Sequence, residues 1–197
     1  MSMKQLFLWG SIIFAAGFAA LFFTGVLDDT SVIPIDKSCT MLFTDERPDA
    51  ADTNIVVCIP AAFSDNESNI IGHYSTGKGR TGRTTYKYTT INLDGKTHFQ
   101  QMTLTKNHRP KIYSDQRRRY RRALCLKDGR YSIVHSKRPV TLTDFSRQLT
   151  DYDRAWNLDM GTYAYGWYRD ERGLHYLGLS TFWNRHKQTN WIVIKKR

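Results

Sequence analysis

The chain has 197 residues, 41% of them apolar and 24% charged, a balance that excludes a disordered or fibrous polypeptide and suits one ordinary domain. Lys and Arg number 29 against 18 Asp and Glu, and the net charge of +11 points to anionic partners or surfaces, not to any one fold. Three cysteines are too few for a disulfide framework.

In chain order, Lys4 precedes an apolar run over residues 6–27, which Asp28-Asp29 closes. About 22 residues at about 1.5 Å each reach about 33 Å, enough to cross a bilayer core. Residues 1–5 then read as a cytoplasmic stub, 6–27 as a transmembrane anchor or signal sequence, and 28–48 as a tether. A signal peptide has a shorter apolar stretch followed by a small-residue cleavage site, and Ala15, Ala19 and Ala20 fall inside the run. Either way residues 49–197 are expected outside the cytoplasm, in a periplasmic or extracellular setting. The anions on offer there are phosphate-bearing glycans, lipid headgroups and cell-envelope polymers.

From Asn54 onward the pattern is short β-type runs separated by turns. Residues 55–59 read as a buried strand. Residues 86–93 alternate and end in Asp94-Gly95, a hairpin signal, with 97–104 as the partner. A second hairpin joins 122–126 to 131–135 across Lys127-Asp128-Gly129. Residues 141–149 form the clearest helix: Thr141 or Thr143 can cap it, and Leu142, Phe145 and Leu149 share one face. Further β-type runs follow at 154–158, 163–168, 174–179 and 191–194. The expected fold class is α+β, a mostly antiparallel sheet with one or two packed helices, preceded by a single N-terminal transmembrane helix. Cys58 and Cys125 lie in apolar runs and read as buried thiols or as a pair, while Cys39 has no evident partner.

Common chemical motifs are absent. Gly72-His73-Tyr74-Ser75-Thr76-Gly77-Lys78-Gly79 misses a phosphate-binding P-loop because Gly79 stands where a hydroxyl is needed for magnesium. The six histidines show no metal-ligand spacing, and no metal or cofactor is expected. A Gly-x-Ser-x-Gly elbow is missing, so serine-hydrolase chemistry has no local support. Asn66-Glu67-Ser68 fits a glycosylation acceptor of the kind that arises often by chance. The run Arg117-Arg118-Arg119-Tyr120-Arg121-Arg122 is the densest cation cluster. It has the composition of a nucleic-acid patch, but export argues against that partner.

One ordered set of motifs is informative. Arg121-Arg122-Ala123-Leu124-Cys125 enters a strand, a hairpin and a short helix follow, and Asn157-Leu158-Asp159-Met160-Gly161-Thr162 runs into a glycine. Upstream stand Ile59-Pro60-Ala61-Ala62-Phe63-Ser64 and Asn69-Ile70-Ile71-Gly72, and near the end Lys187-Gln188-Thr189-Asn190. This order resembles the phosphodiester glycosidase family, over most of residues 55–197. The departures are Pro60 in place of an asparagine, a single Gly161 where the family has a triplet, and Tyr163-Ala164 in place of two serines. The resemblance implies hydrolysis of a sugar phosphodiester by a divergent member. The alternative is a non-catalytic, membrane-anchored module that binds anionic glycans or envelope polymers.

The chemistry of such a bond says which residues are wanted. Phosphate is a good leaving group, so a strong general acid is dispensable, unlike in an ordinary glycoside. A cation for the phosphate and a carboxylate for the oxocarbenium-like carbon or its attacking water are the main needs. On the resemblance, Asp159 is the carboxylate, Arg121 the phosphate clamp and Asn157 a partner for sugar hydroxyls. Gly161, Thr162, Arg122, Phe63, Gly72 and Asn190 are the expected substrate-binding positions. The expected partner is a phosphate-bearing glycan or envelope polymer, with the membrane engaged through residues 6–27 and no nucleic acid.

Overall fold

The computed structural model describes residues 29–160, 165–177 and 189–197. Strands dominate them: fifteen, against one helix. Six strands lie side by side in one sheet: β1 (Thr30–Pro34), β11 (Arg130–Ser136), β10 (Arg122–Lys127), β12 (Arg154–Asn157), β8 (Thr103–Lys106) and β9 (Arg109–Pro110). A five-stranded sheet runs β14 (Gly173–Leu177), β13 (Gly166–Asp170), β3 (Ile55–Pro60), β15 (Trp191–Lys195) and β2 (Thr40–Thr44). A four-stranded sheet holds β5 (Arg80–Thr81), β4 (Tyr74–Thr76), β7 (Thr97–Gln101) and β6 (Thr89–Asn92).

The main core lies between the sheets. Leu124, Ile133 and Trp156 of the six-stranded sheet meet Phe43, Val57, Ile59, Ile192 and Ile194 of the five-stranded one, with Ile91 and Phe99 from the third. Alternate residues face the other way. Ala123, Cys125, Val134 and Ala155 pack against Leu142, Phe145 and Leu149 of the helix α1 (Leu142–Gln148). Both faces of β10 are therefore covered, which explains why Ala123-Leu124-Cys125 is apolar without alternation. Thr141 caps α1, its hydroxyl accepting from Asp144 N at 3.0 Å.

The α+β expectation behind a transmembrane helix is corrected. The structure is mostly antiparallel sheet with a single seven-residue helix among the described residues, because runs that read as connections pair as strands. No helix of the described residues is long and apolar enough to cross a membrane, and residues 6–27 lie outside them. Within 28–48, expected as a tether, β1 pairs with β11 and β2 with β15. Met41 and Phe43 are buried there, so this stretch completes two sheets. Cys58 and Cys125 are free, buried thiols in different clusters, on the outer faces of the two larger sheets. Burial pushes the Cys58 thiol up to about 12 and raises Cys125 as well.

Candidate functional site

The two larger sheets meet where β12 ends. Asn157 N donates to Met102 O (2.9 Å) and Leu158 N to Arg122 O (2.9 Å), within the six-stranded sheet. The next amide, Asp159 N, donates to Ala61 O at 3.1 Å, just beyond β3 in the five-stranded sheet. Asp159 is thus pinned at the junction by its own backbone, a placement that a turn-capping carboxylate would not require.

A cleft of about 460 Å³ opens at this junction, and Asp159, Asn157, Arg121 and Phe63 all line it. Asn157 is 3% exposed; its Nδ2 donates to Leu158 O at 3.0 Å, while its buried Oδ1 has no hydrogen-bond partner. A buried acceptor left without a donor costs about 1–3 kcal/mol, so it is informative in a cleft wall. Phe63 stands edge-on to Tyr88, ring centroids 6.1 Å apart. Arg121 is half-buried. Its Nε donates to Val140 O (3.4 Å) and its Nη2 to Arg117 O (2.9 Å), which fixes the guanidinium and leaves further donors on the fork. Burial lowers its pKa, the Asp115 carboxylate opposes that, and Arg119 and Arg117 add to it; an arginine so placed remains a cation.

Arg122 has a different fate from its neighbour. It is 1% exposed and faces the space between the sheets, behind the cleft. Its Nε donates to His135 Nδ1 at 3.1 Å, and its Nη1 has no hydrogen-bond partner. Burial pushes this guanidinium down to about 10, against the attraction of the Asp159 carboxylate and of Cys58. His135 is pushed down to about 3, by burial first and then by the Arg122 charge, so the ring is neutral and serves as an acceptor. Arg122 is therefore a buried cation whose charge is felt by Asp159.

Asn190 is buried and acts on the cleft rim through its neighbours. Its Oδ1 accepts from Ala62 N at 2.7 Å, and its Nδ2 donates to Ala62 O at 3.2 Å and Ser64 Oγ at 3.4 Å. That amide clamp fixes the loop carrying Phe63. Gly72 lies elsewhere: its φ of +97° and a Cβ position only 3.0 Å from Gln100 Cβ make it a conformational requirement beside the small sheet. Gly161 and Thr162 lie outside the described residues. Among the described residues no group of three or more His, Cys, Asp or Glu side chains could hold a metal ion.

Two lining residues were not picked out from the sequence, Tyr113 and Asp115, whereas Arg117 and Arg119 belong to the cation cluster read there. His135 was also missed, although the hairpin register held the signal. The turn at Asp128-Gly129 pairs Lys127 with Arg130, and counting back along the ladder pairs Arg122 with His135.

No protein-family model and no curated protein matches this sequence. Among solved structures, the chain is similar to the catalytic domain of zebrafish N-acetylglucosamine-1-phosphodiester alpha-N-acetylglucosaminidase, a form auto-inhibited by its pro-peptide. The identity is 10%, the match covers 85% of this chain and 83% of that one, and the TM-score is 0.56. What the two share is the fold.

Proposed function

We propose that the cleft binds a sugar through its phosphodiester linkage and hydrolyses the bond between the anomeric carbon and the phosphate oxygen. The observation that carries this is the arrival of Asp159, Asn157 and Arg121 on one cleft, in a fold shared with a phosphodiester glycosidase domain. Arg121 offers fixed donors to the phosphate, where a guanidinium fork can bind two oxygens at once. Asp159 faces the anomeric carbon, as a carboxylate that stabilises positive charge there or activates the attacking water. The bond from carbon to phosphate oxygen breaks, its electron pair leaves with the phosphate monoester, and water supplies the new hydroxyl and gives up its other proton through Asp159 to solvent. Asn157 Oδ1 accepts from a sugar hydroxyl, and Phe63 gives the ring an apolar face. Arg122 is a positioning residue: it holds Asp159 by charge without reaching the cleft.

A second reading, binding of anionic glycans without turnover, draws on Arg121, whose guanidinium already bonds two backbone carbonyls. Release of free sugar from an N-acetylglucosamine phosphodiester separates the two. The parent chain is expected to release it, and Asp159→Asn to slow release by about a hundredfold or more, the scale of losing a principal charge stabiliser. A parent that binds the compound without releasing sugar favours the second reading. Equal rates in parent and variant remove Asp159 from the mechanism.

A further inference from the structure

The segment between β9 and β10 has the composition of a solubilising loop, yet it is tied down along its length. Lys111 N donates to Leu104 O (2.8 Å) and to Ser146 Oγ of α1 (3.0 Å). Tyr113 N donates to Thr143 Oγ1 at 2.9 Å, the same hydroxyl donates back to Tyr113 O at 3.1 Å, and the Tyr113 hydroxyl donates to Thr103 O. Arg119 exchanges both backbone hydrogen bonds with Val140 (3.1 and 2.9 Å), and Arg121 N donates to Ser136 Oγ at 2.8 Å. Cations on such a segment are presented at set positions. Arg117, Arg119 and Arg121 line the cleft that Asp159 closes, whereas Arg118 does not.

These three differ in what holds them. Arg117 forks onto Asp115 (2.8 and 3.1 Å), which lowers that carboxyl to about 2 and offsets part of the charge. Arg121 is bonded to backbone carbonyls, as described. Arg119 is exposed, and its guanidinium has no ion pair among the described residues. From its bridge with Val140 the chain runs extended into β10. Residues two apart on an extended chain share a side, and Arg119 and Arg121 accordingly both line this wall of the cleft.

We propose that this wall is a second anion subsite, which extends the cleft to take a polymer of phosphate-linked sugar or polyol units, one phosphate at Arg121 and the next at Arg119. The inference rests on the proposed reading of the Asp159 end for its direction along the cleft. The polymer is a hydroxylated one because the cleft also holds acceptors. Asn157 Oδ1, buried and without a hydrogen-bond partner, calls for a hydroxyl donor, which a DNA backbone lacks.

The test uses the full chain and three probes: a deacylated glycerol-phosphate polymer, monomeric glycerol phosphate, and an oligothymidylate of matched charge. The polymer is expected to bind about tenfold or more tighter per phosphate than the monomer, as linked contacts raise effective concentration. Arg119→Gln should weaken polymer binding about fivefold to tenfold and make its salt dependence shallower by about one cation, while Arg118→Gln does much less. The wall is overturned if Arg118→Gln costs as much as Arg119→Gln, or if polymer and monomer bind equally per phosphate. An oligothymidylate that competes as well as the polymer overturns the choice of a hydroxylated ligand. These readouts need no turnover, so a chain that releases no sugar refutes the hydrolytic reading and leaves the wall standing. Conversely, loss of the wall leaves sugar release by Asp159 to be judged alone.

Discussion

The floor of the cleft and its basic wall come from one stretch of chain and use positive charge in opposite ways. Arg122 lies between the sheets, where its charge is poorly screened and acts on Asp159, His135 and Cys58. Arg119 stands in water, where a charge acts over about 8–10 Å at physiological salt and individual contacts are weak. Adjacent positions of a strand point to opposite sides, so a run that looks uniform in sequence divides into one structural cation and several surface ones. The buried cation should govern stability and the geometry of Asp159. The exposed ones should govern affinity and its dependence on salt.

The sharpest way to break that comparison is to remove the buried cation alone. Arg122→Met withdraws the charge that acts on Asp159 and the donor to buried His135 Nδ1, and an acceptor so left unsatisfied costs about 1–3 kcal/mol. Urea denaturation measures this, and a variant within about 0.5 kcal/mol of the parent, the range of ordinary surface substitutions, would mean that Arg122 carries no such role.

An intermediate effect comes from pH. His135 is depressed to about 3 in the fold, against an ordinary value of about 6.5 when unfolded. Above about pH 6.5 both states are neutral and nothing is lost. As pH falls toward 3, the unfolded chain takes up a proton that the folded chain refuses, and stability declines by up to about 1.4 kcal/mol per pH unit. In the interval from about pH 6.5 to 5 carboxylates such as Asp115 contribute little, and comparison with a variant separates this ring from the other five histidines. His135→Gln keeps an acceptor for Arg122 and should flatten that interval. An unchanged slope in the variant would assign the acid sensitivity to another group.

The smallest effect is expected at the wall. Arg119→Gln should leave the unfolding midpoint within error of the parent, since the side chain is exposed and only its backbone bonds Val140. A clear loss of stability there would place Arg119 in the architecture and dissolve the contrast with Arg122.

Much of this fold was legible because its signals are local. Asp128-Gly129 set a hairpin, with both residues at positive φ (49° and 69°), and Thr141 marked the start of α1. Asn157-Leu158-Asp159 did leave a strand at the junction of two sheets. What escaped depended on long-range pairing. The strands within 28–48 are short and half polar, and they acquire meaning only beside β11 and β15. The Asn107-His108 turn takes positive φ without a glycine, so no punctuation announced β9. Choosing between Arg121 and Arg122 required knowing which face of β10 looks toward the second sheet, a tertiary fact. Sequence alone did not show that the Asn190 amide fastens the loop that bears Phe63.

The central claim is that the Asp159 end of the cleft holds a phosphate-linked sugar. A crystal structure of the full chain with N-acetylglucosamine 1-phosphate tests it most directly. The account predicts phosphate oxygens on the Arg121 guanidinium, a sugar hydroxyl donating to Asn157 Oδ1, and the anomeric carbon facing Asp159. A sugar phosphate seated on another surface, with Asn157 Oδ1 still unpartnered, would contradict it.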